Sequence, residues 1–386
     1  MQMRTSASYQ RESRKVARRL FLLQMVLPIA NAFYVPYLSL YYALNGMGDM
    51  EIGILSAIPF VISIFMQPLW GRACDRAKHR KRVVGFAILG ASVSVLLYLV
   101  GSAFWLYVAA STVLAIFHTA LIPLVDSITM ELVANYQLDY GRFRWAGSAS
   151  YGLLAFALAG TLQRNPTSSF PLAAAGYLLL LAVWSIVPTP CVVKTPATTQ
   201  QPYLRIKISM EMGILLGLMM LISIGTAFAN SFYGVYCVRI GFDRQMIGLS
   251  TLFGVAAQIP VSLIANRINQ RFAERKILIF CLGLMALRMV CMLLGQEVGL
   301  ILSQVLFGVT FMLSHYCIVV YMSRMVDTQH RNSAQSLQSA VRACGSVLGT
   351  LLGGMLSQWF GIQQTLTWFA VASFVLVLLT TLLKRK

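Results

Sequence analysis

A chain of 386 residues with 58% hydrophobic and only 11% charged side chains falls outside the range of soluble globular proteins, in which about a quarter of residues are charged. Its 31 Lys and Arg against 12 Asp and Glu give a formal net charge of +19. The cations sit in short segments between apolar runs rather than on one polar domain, which argues for membrane loops and against a nucleic-acid-binding domain.

The first 19 residues form a polar, basic arm. The apolar run over 20–44 is too long for a signal-peptide core and lacks a small-residue cleavage pattern, so it reads as a retained first helix. Further apolar runs of about 20 residues predict helices near 51–70, 83–102, 104–132, 145–163, 170–187, 208–236, 246–264, 277–295, 298–323, 334–357 and 363–383. The expectation is an all-α membrane protein of twelve transmembrane helices. With a cytoplasmic N-terminus, 26 of the 31 Lys and Arg fall in the arm, in the segments 72–82, 142–144, 194–207, 267–276 and 324–331, and at 384–386. Only Arg164, Arg239 and Arg244 fall outside, while Arg288 and Arg342 lie within predicted helices. Both termini are therefore expected in the cytoplasm.

The segment 188–207, rich in Pro, Thr and Gln, separates six helices from six. The expected organisation is an arm (1–19), a six-helix bundle (20–187), a cytoplasmic linker (188–207) and a second six-helix bundle (208–386). The two sides read as copies. "NAFYVPY" at Asn31–Tyr37 returns as "NSFYGVY" at Asn230–Tyr236, four identities in seven at an offset of 199. Ile52 and Gly53 return as Ile247 and Gly248. Arg72, Arg76, Arg80 and Lys81 return as Arg267, Arg271, Arg275 and Lys276. Two parallel six-helix repeats are a known transporter layout.

Between the second and third helices stands "GRACDRAKHRKR". Gly71, Asp75, Arg76 and Arg80 resemble the signature loop of the major facilitator superfamily, although Lys78 replaces the usual Gly. "PLVDS" at Pro123–Ser127, "DYGRFRWAGS" at Asp139–Ser148 and "QVLFGVTFMLSH" at Gln304–His315 look like the phenylpropionate-permease and lactose-permease-like group. The resemblance implies a secondary transporter of the cytoplasmic (inner) membrane, working by alternating access and proton-coupled symport of a small organic solute. An aromatic acid, a nucleoside and a saccharide are the classes it implies, and the intramembrane arginines lean toward an anion. Rival readings are a proton-coupled exporter of drugs or metabolites in the same fold and, more distantly, a transport-inactive membrane receptor or a membrane enzyme.

Charged residues inside membrane helices are costly and mark candidate function. Asp126, in the cytoplasmic third of the fourth helix, either carries a coupling proton or pairs with Arg76 to hold an inside gate. His118 lies two turns before it on roughly the same face, and Glu131 is turned away toward the interface. Asp75 is expected to face the start of the eleventh helix near Ser333 and Ala334 and to pair with Arg76. The second copy has Asn266 for Gly71 and Gln270 for Asp75, so the acid is peculiar to one half. The candidate gate is thus Gly71, Asp75, Arg76, Arg80, Asp126 and Glu131.

In the eleventh helix Gln335, Gln338, Arg342, Ser346 and Gly349 share a stripe, as do Gln304, Gly308, Phe311 and His315 in the tenth. Arg342 suits a carboxylate or phosphate, and His315 is the second proton-coupling candidate beside Asp126. Asn31, Tyr34, Asn230 and Tyr233 match between the repeats and suit an amphipathic organic ligand. Candidate solute-binding residues are Asn31, Tyr34, His118, Asn230, Tyr233, Gln304, His315, Gln338 and Arg342. Gly147, Gly152, Gly160, Gly345, Gly349, Gly353 and Gly354 are expected to allow close helix approach. The seven cysteines show no metal or CxxC spacing. There is no phosphate-cradling GxxxxGK[ST] loop, GxSxG elbow or HExxH pair. Expected are no cofactor, no metal, no enzyme activity, a proton gradient as energy source, and a monomer in the bilayer.

Overall fold

The computed structural model describes residues 6–138, 141–188, 209–325 and 331–382, with the side chains of 6–8, 141–144, 161–164, 323, 331–334 and 382 left aside. The described residues are helical nearly throughout, because a chain in hydrocarbon must satisfy its backbone groups internally. The helices are α1 (Ser6–Val26), α2 (Ile29–Tyr34), α3 (Leu38–Leu44), α4 (Asp49–Arg76), α5 (Arg80–Val95), α6 (Phe104–His118), α7 (Leu121–Asn135), α8 (Gly141–Arg164), α9 (Ser169–Ile186), α10 (Met210–Arg239), α11 (Arg244–Arg271), α12 (Glu274–Leu293), α13 (Glu297–Met325), α14 (Arg331–Phe360) and α15 (Ile362–Leu382). Among the described residues, 11 stretches are long and apolar enough to cross a membrane, so the chain is a multi-pass membrane protein. The expected fifth span corresponds to α8, which is not among the eleven and whose described side chains run only from Trp145 to Gly160. The expected linker lies outside the described residues except for Pro188.

The chain packs as two compact units, one of residues 1–35 and 65–197, the other of 36–64 and 198–386. Helix α4 therefore begins in one unit and ends in the other.

In the first unit, α1 and α2 pack on α8 and α9, and α5 packs on α6 and α9. Two of its breaks are proline effects. Pro28 separates α1 from α2 and cannot donate to the carbonyl of Gln24. Gly147 of α8 packs against that carbonyl, where a Cβ would lie 2.8 Å away, and Ser150 Oγ donates to Met25 O at 2.7 Å. Pro123 likewise leaves Thr119 O without its helical donor, and the chain breaks there between α6 and α7. Gln67 Nε2 of α4 supplies the missing donor at 3.2 Å. At the start of α5, Lys81 Nζ donates to Ser185 O at 2.5 Å and Val187 O at 3.0 Å, while Trp184 Nε1 donates back to Lys81 O at 3.0 Å. This reciprocal clasp supplies cationic donors to the last carbonyls of α9.

In the second unit, α10 packs on α14, α11 on α13, and α12 on both α13 and α15. The α10–α14 contact is set by a glycine row. Cβ atoms at Gly345 and Gly349 would lie 2.7 and 2.1 Å from the carbonyls of Met220 and Ile224, and one at Gly353 would lie 2.1 Å from the Phe228 ring. Gly53 of α4 meets α14 in the same way, its Cβ position 2.6 Å from Thr350 O. Beside it the buried Asp49, first residue of α4, accepts from Arg239 Nη1 at 2.8 Å and Nη2 at 2.6 Å. An acid at a helix start and a cation at a helix end both complement their helix dipoles.

Candidate functional site

In the first unit, Asn31 and Tyr34 lie on α2 and His118 ends α6. They converge with Tyr177 of α9, which the sequence reading missed. Tyr177 Oη donates to Asn31 Oδ1 at 3.2 Å and shares a hydrogen bond with Tyr34 Oη at 3.3 Å. The rings of Tyr34 and Tyr177 stand edge-on to the His118 imidazole, at 6.4 and 6.2 Å. Both His118 nitrogens are buried without a hydrogen-bond partner among the described residues. A neutral imidazole there holds one donor and one acceptor, and leaving them unmade costs about 1–3 kcal/mol each. The cluster is an aromatic box with polar tips that a ligand ring bearing donors and acceptors would satisfy. His118 and Asp126, expected on one face of one helix, are separated by the break before α7. Asp126 instead accepts from Gln24 Nε2 of α1 at 3.3 Å.

The expected gate residues gather at the other end of α4. Arg80 Nη1 lies 3.0 Å from Glu131 Oε2, and Arg80 Nη2 lies 3.7 Å from Asp75 Oδ1. The Asp75 side chain is 73% exposed, so the shorter, better covered contact is Arg80 to Glu131. Arg76 is exposed, and Gly71 has open space around it. Ser333 and Ala334, the expected neighbours of Asp75, lie outside the described side chains.

The second unit holds the other cluster. Arg342 of α14 reaches His315 of α13, Nη1 to Nδ1, at 3.1 Å, and Gln338 Nε2 stands 3.5 Å from the same nitrogen. A guanidinium only donates, so Nδ1 accepts and the ring proton is on Nε2. The Arg342 guanidinium lies 5.8 Å from the Phe311 centroid, and Phe311 stacks on His315 at 6.1 Å. One turn earlier, Phe307 carries a second guanidinium, Arg288 of α12, at 4.7 Å. Arg288 is fully buried and donates Nη2 to Asn230 Oδ1 at 2.6 Å, while its Nε and Nη1 have no partner among the described residues. Among the described residues no carboxylate pairs with Arg288 or Arg342. Of the remaining candidates, Tyr233 Oη donates to Leu300 O at 3.2 Å. Gln304 is buried with Gly254 against its backbone.

Sequence reasoning also missed Asp49 and Arg239. The available signal was an acid opening one apolar run and a cation closing another, but their pairing spans 190 residues. No group of three or more His, Cys, Asp or Glu that could hold a metal occurs among the described residues.

The model of the MFS_1 like family matches residues 29–368. The chain is 24% identical over 356 residues to a maltose permease of Geobacillus stearothermophilus, covering 91% of this chain and 90% of the relative. It is 23% identical over 366 residues to the multidrug resistance protein MdtG of Proteus mirabilis (strain HI4320), covering 88% of each. Among solved structures, a single-residue mutant of the nucleoside transporter NupG superposes with a TM-score of 0.87 at 15% identity, over 95% of this chain and 99% of that one.

Proposed function

The chain belongs to the MFS_1 like family and is a secondary transporter, and from that premise we propose that it takes up a small organic solute by proton-coupled symport. The proposal places it in the cytoplasmic membrane with both termini inside, as twelve helices in two six-helix bundles (20–187 and 208–386) joined by the linker 188–207. It then groups with the phenylpropionate-permease and lactose-permease-like transporters, and it works as a monomer. The observation that carries the reading is the Arg342–His315–Gln338 cluster inside two spanning helices. Polar and charged side chains at that depth are retained for ion or solute pathways.

Two ion-pair groups support alternating access. Arg80 with Glu131 and Asp75 lies at the end of α4, and Asp49 with Arg239 at its beginning. Both are formed in this structure, and opening of the transport path at either end would part the pair there. Asp126 and His315 are the proton-coupling candidates, and Asn31, Tyr34, His118, Asn230, Tyr233, Gln304, Gln338 and Arg342 would line the solute path.

The test is uptake into proteoliposomes with an alkaline interior, using labelled benzoate, uridine and maltose. Accumulation of one of them that a protonophore abolishes is the expected result. Equilibration without response to the pH gradient would overturn symport. Because one relative is named a multidrug resistance protein, extrusion is the second reading, and transport driven only by an acidic interior would favour it.

A further inference from the structure

Arg342 and His315 share one hydrogen bond, and that bond excludes a proton. While Arg342 Nη1 donates to His315 Nδ1, the imidazole lone pair is occupied and the ring is neutral. A carboxylate takes two guanidinium N–H groups side by side. On the Nη1–Nη2 edge of Arg342 one of the two is the donor that His315 holds, so an anion arriving on that edge competes with His315 for it. We propose that Arg342 gives its Nη1–H either to His315 or to the carboxylate of an organic anion, and that His315 takes a proton from water only in the second case. One proton then accompanies each anion. This rests on the transport reading and assigns its solute class.

Charge conservation argues for the exchange. Without solute the pair carries one positive charge, on Arg342. With a monoanion and a protonated His315 it again carries one, so the net charge at low-dielectric depth is unchanged by loading. An anion alone would bury a neutralised but desolvated pair, and a proton alone would set two cations about 3 Å apart.

The surroundings leave His315 the work of proton acceptor in this unit. The elements packed on α13 are α10, α11, α12 and α14. From α14 the facing charge is Arg342, the only charged side chain between 335 and 360, with Cys344 beside it in sequence. From α12 they are Arg288, reached through Phe307, and Glu274, which pairs with Arg324 at 3.6 Å near the far end of α13; Arg275, Lys276 and the buried thiols of Cys281 and Cys291 complete that helix. α11 has no titratable side chain between Arg244 and Arg267, and α10 none between Glu211 and Tyr233. α13 itself adds Glu297, Tyr316, Cys317 and Tyr321. The acids Glu211, Glu274 and Glu297 all lie in first turns. Glu274 comes beside Cys317, two residues from His315, its carbonyl accepting from Cys317 Sγ at 3.8 Å, but its carboxylate is committed to Arg324. Arg288, two aromatic rungs along α13 through Phe307 and Phe311 (5.7 Å apart), adds a fixed positive charge that favours an anion.

Purified protein in a weakly buffered detergent solution, with a pH-indicating dye, tests this directly. The probes are benzoate, succinate and lactate, against the neutral uridine and maltose, at up to about 10 mM, beyond millimolar dissociation constants. Expected are proton uptake on addition of at least one anion and none with the neutral solutes. Affinity for that anion should weaken about tenfold per pH unit as pH rises, as one linked proton requires. His315→Gln should flatten this dependence, Arg342→Lys should retain it at reduced affinity, and Arg342→Gln should abolish anion binding. If Arg342→Gln does not fold, the wild-type proton count and His315→Gln decide. Failure of all three anions to bind, binding without proton uptake, or an unchanged pH slope in His315→Gln each overturns the inference. Flux in proteoliposomes is scored separately. Proton-linked anion binding without flux sinks the transport reading alone, and flux of uridine or maltose without anion binding sinks this inference alone.

Discussion

Arg80 sits between two acids, and their unequal contacts predict unequal consequences. Glu131 at 3.0 Å, on a half-covered surface, is held more closely than Asp75 at 3.7 Å, which is largely in solvent. Neither contact is worth more than about 1 kcal/mol. Glu131→Gln is therefore expected to lower the melting temperature of the purified protein slightly, and Asp75→Asn to leave it unchanged. Reduced transport in Asp75→Asn at an unchanged melting temperature would mark the acid as a gating rather than a stabilising residue. The Asp49–Arg239 pair is a different case. Its carboxylate is buried and bidentate, so Asp49→Asn should destabilise by about 2 kcal/mol, less than the ~3–5 kcal/mol of a fully buried pair because Arg239 is half in solvent. A double-mutant cycle with Arg239→Gln should recover part of that loss. Strictly additive melting shifts would mean that the two side chains do not interact.

Helices were legible in the sequence because hydrocarbon leaves the backbone few alternatives, and each apolar run coincides with a helix or a helix with a break. The breaks were not legible. Runs 20–44 and 104–132 each read as one apolar span, and the lost N–H groups of Pro28 and Pro36 in the first and of Pro123 in the second mark where they divide. The consequence for the candidate site is direct. Spacing on a continuous helix would set His118 and Asp126 on one face, whereas the break before α7 gives His118 to Tyr34 and Tyr177 and leaves Asp126 to Gln24. Gln67→Leu removes the donor that Thr119 O receives in place of a helical one, and should cost about 1–2 kcal/mol in thermal unfolding. The α10–α14 contact is stricter still. Gly349→Val would put a side chain 2.1 Å from Ile224 O, where no rotamer relieves the overlap. A loss of about 3 kcal/mol or more is expected, seen as aggregation on size exclusion. Gly283→Ala, with no atom near its Cβ position, is the neutral control.

The sequence repeat divides the molecule near residue 198, but the compact units do not follow that division, since residues 36–64 pack with 198–386. Nothing local in 36–64 announces this. The contacts that hold it, Gly53 on Thr350 and Asp49 on Arg239, link positions about 190 to 300 residues apart. A fragment of residues 198–386 expressed alone should be short-lived in membranes. Co-expression with residues 1–197 should restore it, and restoration should weaken when the partner fragment carries Asp49→Asn and Gly53→Val. Equal half-lives with and without the partner in a pulse-chase experiment would sink that expectation.

The clasp between Lys81 and the end of α9 gives the basic loop a chemical inequality. Lys78 and Lys81 are three residues apart, and charge counting treats them alike. Lys78 is exposed, whereas two of the three N–H groups of Lys81 are committed to the carbonyls of Ser185 and Val187. Acylation requires a free amine with its lone pair available, so an N-hydroxysuccinimide ester should modify Lys78 quickly and Lys81 only when the last turn of α9 frays. The ratio of the two labelling rates, read by peptide mass spectrometry, becomes a clock for that fraying, built into the native sequence and needing no engineered reporter.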